Sequence, residues 1–471
     1  MQGTLVATSA QPCLVTSMPY TSTRDETSIW DRRTRAVGRT LIAALAAGLF
    51  TTACDTSDML DVQAPNSVPV DIYTDPAFAT LMVNSVIGDF ECAFNSFVVA
   101  EGLATDELHD SALNNGNWNM DRRDNAFTSG FYGTNSCTTV TGIYTPLSTA
   151  RGEADLAIER LSGWTAAQVP NIKTLEAQAN LYAGFSYAAL GMAMCQAAFD
   201  RGPLVNQLGI FALAEQRFTA AIAAAQAASL TNVLNAAYAG RARVRLYQHN
   251  NAGAIADAQL VPAGFVFNAA MDATNPRRFN RIYTAISTSG ALTVEPTARA
   301  LTTETGQVDP RSATIRLNTA PADGLNQIYI PTKYNAATLT AGQSIPLPIT
   351  RYAEAQLILA EAQGGASAVN IINTMRAAAN LNPYTGPTDA TSIKALIASE
   401  RQRVLFLEGY RAFDIERLNL PLVPAVGSPY LQGGVYGGTV CFPVPDIEKN
   451  NNPNIVAAEI ITGVRGEFTP P

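Results

Sequence analysis

The chain has 471 residues, of which 47% are hydrophobic and 15% charged, enough apolar material for a large core that needs no disulfide staples. Its net charge of −8, with no run of Lys or Arg, excludes nucleic-acid binding, which needs a clustered basic face to displace counterions from phosphates. Two His in the whole chain, His109 and His249, with no paired-Cys spacing, leave little for a His/Cys metal site or an imidazole general base, so neither a metal nor a cofactor is expected.

The chain opens with a leader. Arg32, Arg33, Arg35 and Arg39 run into an apolar block at residues 41–50, followed by Thr51, Thr52, Ala53 and Cys54. That block is too short for the roughly 20 residues of a membrane-spanning helix, so it reads as an export signal (residues 1–53) cleaved before a lipidated Cys54. The long stretch ahead of Arg32 places the expected translation start at Met18 or later. Cys92, Cys137, Cys195 and Cys441 would then sit in an oxidising envelope; they allow three pairings, among which the sequence does not choose.

Residues 54–471 read as a single mature domain, mainly α, with a tetratricopeptide-like helical-repeat part over about 55–262 and a loop-rich part with C-terminal helices over about 263–471. Residues 171–228 are Ala-dense with apolar positions at helical spacing, broken at Gly202 and Pro203, and predict paired helices. A further pair spans 233–248 and 252–260, hinged at Asn250 and Asn251. Small residues at its contact positions, Ala236, Gly240, Ala254 and Ala258, let backbones approach closely. Ser186 sits in GFSYA, which lacks the second Gly of a nucleophile elbow and lies in helix interior, so it is read as structural. Residues 262–348 turn to Gly, Pro, Thr and Asn with short apolar runs, predicting loops and short strands. Helices are expected again at 351–363, 368–380 and 392–418, before a Gly/Pro-rich end.

Four blocks in the C-terminal third carry a specific resemblance. They are DPR at 309–311; PITRYAEAQLILAEA at 348–362; INTMRAAANL at 372–381 paired with ERQRVLFLEGYRAFDIERL at 400–418; and FPVPDIEKNNNPNI at 442–455. In content and order they resemble the SusD/RagB family of nutrient-binding outer-membrane lipoproteins. Weaker similarity reaches back to Thr105, Asp106 and Glu107 and to residues 143–161. The chain departs from the family at Val404 and Leu405, where an acidic residue and Leu are usual, and at Asn380, where Gly often ends the helix. The resemblance implies a SusD-like α/α fold and a lipid-anchored protein facing outward from the outer membrane. Such a protein binds a glycan or peptide and delivers it to a SusC-like TonB-dependent transporter, without catalysis.

The charges within 400–418 recur at three- and four-residue spacing on an otherwise apolar stretch. Buried charges are costly unless paired, so Glu408, Arg411 and Asp414 are expected to bond with one another or with Arg351 and Glu354, as architecture. For the ligand, aromatic residues on loops suit sugar rings. The best candidate is the segment 114–123, where Trp118 stands with Asn117 and Arg122. Tyr132 follows closely, and Tyr283 and Tyr436 are further candidates. A packing role for Trp118, pinning its loop to the core, competes with this reading. Two other function classes compete: a secreted all-helical carbohydrate-active enzyme, which requires an open cleft with two close carboxylates, and a helical-repeat scaffold lipoprotein, against which the loop-rich region speaks.

Overall fold

The computed structural model describes residues 73–466, except 113–114, 125–128, 135–136 and 138–141. The leader, with the expected lipidation at Cys54, lies outside the described residues.

The first long helix, α1 (Ala79–Leu103), follows a single turn capped by Asp75, whose side chain accepts from the Ala77 amide. From Phe90 to Leu103 every residue of α1 is buried. A helix apolar on all sides has no amphipathic stripe, and for that reason the sequence pattern did not single it out. A short strand, β1 (Leu108–Asp110), and a two-turn helix, α2 (Asn115–Asp121), lead to α3 (Tyr144–Ser162), and thence to α4 (Ile172–Ala193), α5 (Gln207–Ala227), α6 (Thr231–Tyr247) and α7 (Asn251–Ala258). From α3 to α7 each helix packs on the next, and α1 lies against α3 and α4.

Glycines set the spacing in this array. A Cβ on Gly184 or Gly240 would come within 2.7 or 2.5 Å of the Phe218 ring, so this ring from α5 is clasped between α4 and α6. Ala236, Ala254 and Ala258 are buried with Gly240, as their spacing predicts. Asn206 and Asn250 cap α5 and α7 by accepting from the amides of Gly209 and Gly253. The expected break at Gly202 and Pro203 is a whole hairpin: α4 ends at Ala193, and β2 (Gln196–Ala198) pairs antiparallel with β3 (Leu204–Asn206). Ser186 is buried within α4, its Oγ donating to the Tyr182 carbonyl at 2.8 Å, a local helix bond.

Residues 262–348 form turns and short strands, as composition predicts. β4 (Val266–Ala269) pairs with β8 (Leu347–Arg351), and β6 (Thr314–Arg316) with β7 (Tyr329–Pro331). β5 (Leu292–Val294) pairs with β1, joining the loop-rich part to the segment that follows α1. The chain then returns to helix in α8 (Tyr352–Gln363), α9 (Gly365–Ala378), α10 (Ala390–Val404) and α11 (Arg411–Arg417), with a short α12 (Asp446–Asn451) near the end. α8 packs on α7, extending the array. Asn380 adopts φ +56 just past α9; Asn is the side chain that best tolerates this left-handed ending.

One expected helix is corrected. Residues 392–418 are not continuous: α10 stops at Val404 and the chain turns through 405–410 before α11. Leu407 is held at φ +51 by tertiary bonds, its amide donating to Glu107 and its carbonyl accepting from the Tyr334 hydroxyl at 2.9 Å. Gly409, at φ +81, has no room for a Cβ, which would lie 2.6 Å from the Phe97 ring of α1.

The charge pairing is corrected with it. Glu408 does meet Arg351, at 2.9 Å, and also Lys333 at 2.6 Å. Glu354 instead takes a bidentate bond from Arg243 of α6, Arg411 grips Asp106 with two 2.7 Å bonds, and Asp414 bonds Arg401 and Arg417. Same-helix spacing cannot name these partners. Once the helix breaks, each buried charge pairs with whatever opposite charge the packed neighbour presents.

Of the three pairings open to the four cysteines, the fold selects Cys92–Cys137 and Cys195–Cys441, with Cα separations of 5.6 and 5.2 Å. The second ties the end of α4 to the C-terminal segment.

Candidate functional site

The short ladder β1–β5 positions His109 and Asp110, and α2, which starts five residues after Asp110, brings Asp121 back over them. The Asp110 amide donates to Asp121 Oδ2 at 2.7 Å, and the same oxygen accepts the Tyr430 hydroxyl at 2.8 Å. His109 Nδ1 lies 2.9 Å from Asp121 and 3.4 Å from Glu295. Two loops close over this knot. Gln432 donates to the Asp110 carbonyl and to Asp323, both at 3.1 Å, and Asn326 also donates to Asp110 and Asp323. The segment after α2, the turn at 323–326 and the loop at 428–437 therefore converge on one buried polar cluster.

Burial shapes its electrostatics. Desolvation opposes the charged form of His109, yet Asp121 and Glu295 outweigh it and hold the imidazole up at about 8. Burial raises Asp110 to about 7 and Glu295 to about 7, with His109 pulling both partly back. All four groups are at most 5% exposed, so in this structure they brace the loops and stand sealed from a substrate. An acid/base pair for sugar hydrolysis sits in an open cleft, which these carboxylates do not.

Above the cluster lie the residues singled out by sequence. Asn117, Trp118 and Arg122 are partly exposed on α2 and just after it. Trp118 has its indole Nε1 buried with no hydrogen-bond partner. Arg122 is held by Asn119 and by the Gly433 carbonyl at 3.4 Å, and its own carbonyl accepts from the Gly437 amide at 2.6 Å. Arg123, at φ +54, turns inward to the Val423 and Gly437 carbonyls, its guanidinium 4.9 Å from the Tyr436 ring. The tips of the closing loops carry Leu325, Leu431 and Val435, each more than half exposed. Large apolar groups on loops that share one polar base form a surface suited to a flat, partly apolar ligand.

The other sequence candidates are placed differently. Tyr436 belongs to this region but is buried, edge-on to Tyr430 with ring centroids 5.3 Å apart, and supports the loop without facing solvent. Tyr132 is in the core against Phe442, and Tyr283 is buried over Gly342 with its hydroxyl donating to the Thr338 carbonyl. In each case the ring gains more by packing than by standing in water, and none of the three offers an open face. Sequence reasoning missed His109, Asp110, Asp121, Glu295, Tyr430 and Gln432. The available signal was the acidic pair Asp106 and Glu107, two residues ahead of one of only two His in the chain.

Two larger concavities lie elsewhere. One of about 490 Å³ opens by Tyr247, His249, Glu361, Lys394 and Arg417. The other, of about 600 Å³, lies between the start of α8, α9 and the end of α10.

Residues 267–463 match the SusD family. No curated protein sequence matches the chain. Among solved structures, a SusD-like carbohydrate binding protein from Bacteroides vulgatus superposes with a TM-score of 0.60 at 15% identity, covering 81% of this chain and 97% of that one. A laminarin binding SusD-like protein gives 0.58 at 16%, covering 81% and 99%. A SusD superfamily protein from Bacteroides fragilis gives 0.60 at 17%, covering 82% and 100%. The chain is therefore SusD-like over residues 267–463, which match that family, and it shares its fold with these solved SusD-like structures.

Proposed function

We propose that this protein is a cell-surface, lipid-anchored binding protein that captures oligosaccharides, or other nutrients of similar size, and passes them to a SusC-like TonB-dependent transporter of the outer membrane. The observation that carries the reading is the loop-borne surface around Trp118 on a fold whose solved relatives include a carbohydrate binding and a laminarin binding protein. An indole face and exposed aliphatic tips match the apolar face of a sugar ring, while the partly exposed Asn117 and Arg122 supply polar groups at its edge. Cleavage before Cys54 would leave a lipid-anchored mature chain of residues 54–471, and the −8 net charge of the whole chain suits a solvated surface protein.

Two measurements test this. Purification of the tagged protein in mild detergent from the outer membrane of its own host, followed by mass spectrometry, should recover a stoichiometric large barrel transporter. Absence of any barrel from an intact preparation removes the delivery step. A glycan array should return at least one oligosaccharide class whose binding falls with Trp118→Ala; an array with no binder refutes glycan capture.

A further inference from the structure

The 600 Å³ cleft beside α8 is unlike the loop surface: its lining combines cationic and apolar side chains. Arg311, Lys333 and Arg351 line it together with Glu408, while Tyr352, Met375 and Val404 are among the residues that form its wall. Its volume is within the range of about 300–1,000 Å³ that holds small ligands.

The charges around the cleft do not cancel. Arg311, Arg376 and Arg403 are matched by Asp309, Glu304 and Glu400, with which they form ion pairs of 2.6 to 3.0 Å. Lys333 and Arg351, however, share the single carboxylate of Glu408. Glu107, the next acidic neighbour of Lys333, is pushed up to about 8 by burial and is mainly protonated at neutral pH, so it does not restore the balance. Burial lowers the pKa of Lys333 and Glu408 opposes that shift, so two cations face one carboxylate at a partly dehydrated wall, with the side chains of Lys333 and Arg351 still 28% and 21% exposed. Arg311, on the same wall, has its Nη1 buried with no hydrogen-bond partner while its other nitrogens are taken by Asp309 and Glu400. Uncompensated donors and charge of this kind are costly unless an anion meets them, and a charge-assisted bond is strongest where water is excluded.

We propose that this cleft binds a small organic carboxylate on an apolar body, the carboxylate at Lys333 and Arg351 and the apolar body against Tyr352, Met375 and Val404. A peptide C-terminus ending in a large aliphatic residue has this chemistry. The site is separate in sequence and in its lining from the Trp118 surface and does not depend on what binds there.

The test is calorimetric titration of the purified protein with N-acetyl-phenylalanyl-leucine and with its C-terminal amide. The acid should bind and the amide at least tenfold more weakly. Lys333→Gln removes the surplus charge but keeps the Arg351–Glu408 bond, and should weaken the acid at least tenfold with the melting temperature little changed. Ala378→Glu places a carboxylate on an exposed, cleft-lining position of α9 and should do the same, whether or not the Lys333 variant folds. Trp118→Ala should leave this affinity unchanged. Equal binding of acid and amide, no binding of the acid, or an affinity for the acid indifferent to Ala378→Glu overturns the proposal.

Discussion

Glu354→Met leaves Arg243 buried without its counter-ion, and its cost can be worked from the contacts. The Glu354 carboxylate accepts from Arg243 Nε at 2.6 Å and Nη2 at 2.9 Å and from Thr350 Oγ1 at 2.7 Å, and the two charged side chains are 1% and 6% exposed. Breaking one side of a buried pair costs about 3–5 kcal/mol, because the remaining charge stays desolvated. For a folded unit near 400 residues, at about 2 cal/mol/K per residue, that corresponds to a fall in melting temperature of roughly 4–6 °C. The double variant Arg243→Met/Glu354→Met should recover more than half of the loss. Apolar chains then fill the space, and the Tyr410 hydroxyl keeps its 3.2 Å bond to the Ile349 carbonyl, the other acceptor that Arg243 now serves. Urea unfolding at pH 7 of the wild type, both singles and the double closes the cycle. A single variant that loses less than about 1 kcal/mol, or a double no more stable than the worse single, refutes the view that pairing is what makes these charges tolerable.

Reduction of Cys195–Cys441, or Cys195→Ser, reopens a loop whose ends are 246 residues apart and should cost about 5 kcal/mol by loop-closure entropy, seen as a lower urea midpoint that reducing agent no longer shifts in the variant. Trp118→Ala should weaken the best glycan at least tenfold in calorimetry while moving the melting temperature by no more than a few degrees, since the residue is only partly buried; a large loss of stability with unchanged affinity would return Trp118 to a packing role. Burial holds Glu107 at about 8 and Glu416 at about 8, above their unfolded values, so the native state keeps protons that the unfolded chain releases. Stability should therefore fall as pH rises from about 5 to about 8. Glu107→Gln, whose carbonyl can still accept from the Leu407 amide, should flatten that slope in pH-dependent melts; an unchanged slope sinks the assignment.

Periodicity placed α5 to α9, because those helices each bury one face and leave another in water, so the pattern repeats at 3.6 residues; α4, buried throughout from Ala179 to Ala193, was marked by its dense Ala as well as its spacing. From Phe90 to Leu103 α1 is likewise enclosed on all sides, and it lacks the dense Ala that marks α4. The four C-terminal blocks carried the resemblance to the SusD family before any fold was drawn, and residues 267–463, which match that family, include all of them. Sequence also offered Trp118, Asn117 and Arg122 as candidates, since an aromatic among amides is a local feature, but it read as a loop the segment that forms the helix α2.

Tertiary structure alone decided the rest. The break at 405–410 depends on Phe97, Glu107 and Tyr334, all more than 70 residues away, and without them the stretch reads as one helix. Glu354 found Arg243 and Arg411 found Asp106, at separations of 111 and 305 residues, and the cysteines chose one pairing of three. Local propensity and spacing act within a few turns of chain, whereas a buried charge, a positive φ on Leu407 or a disulfide is settled by which surfaces meet.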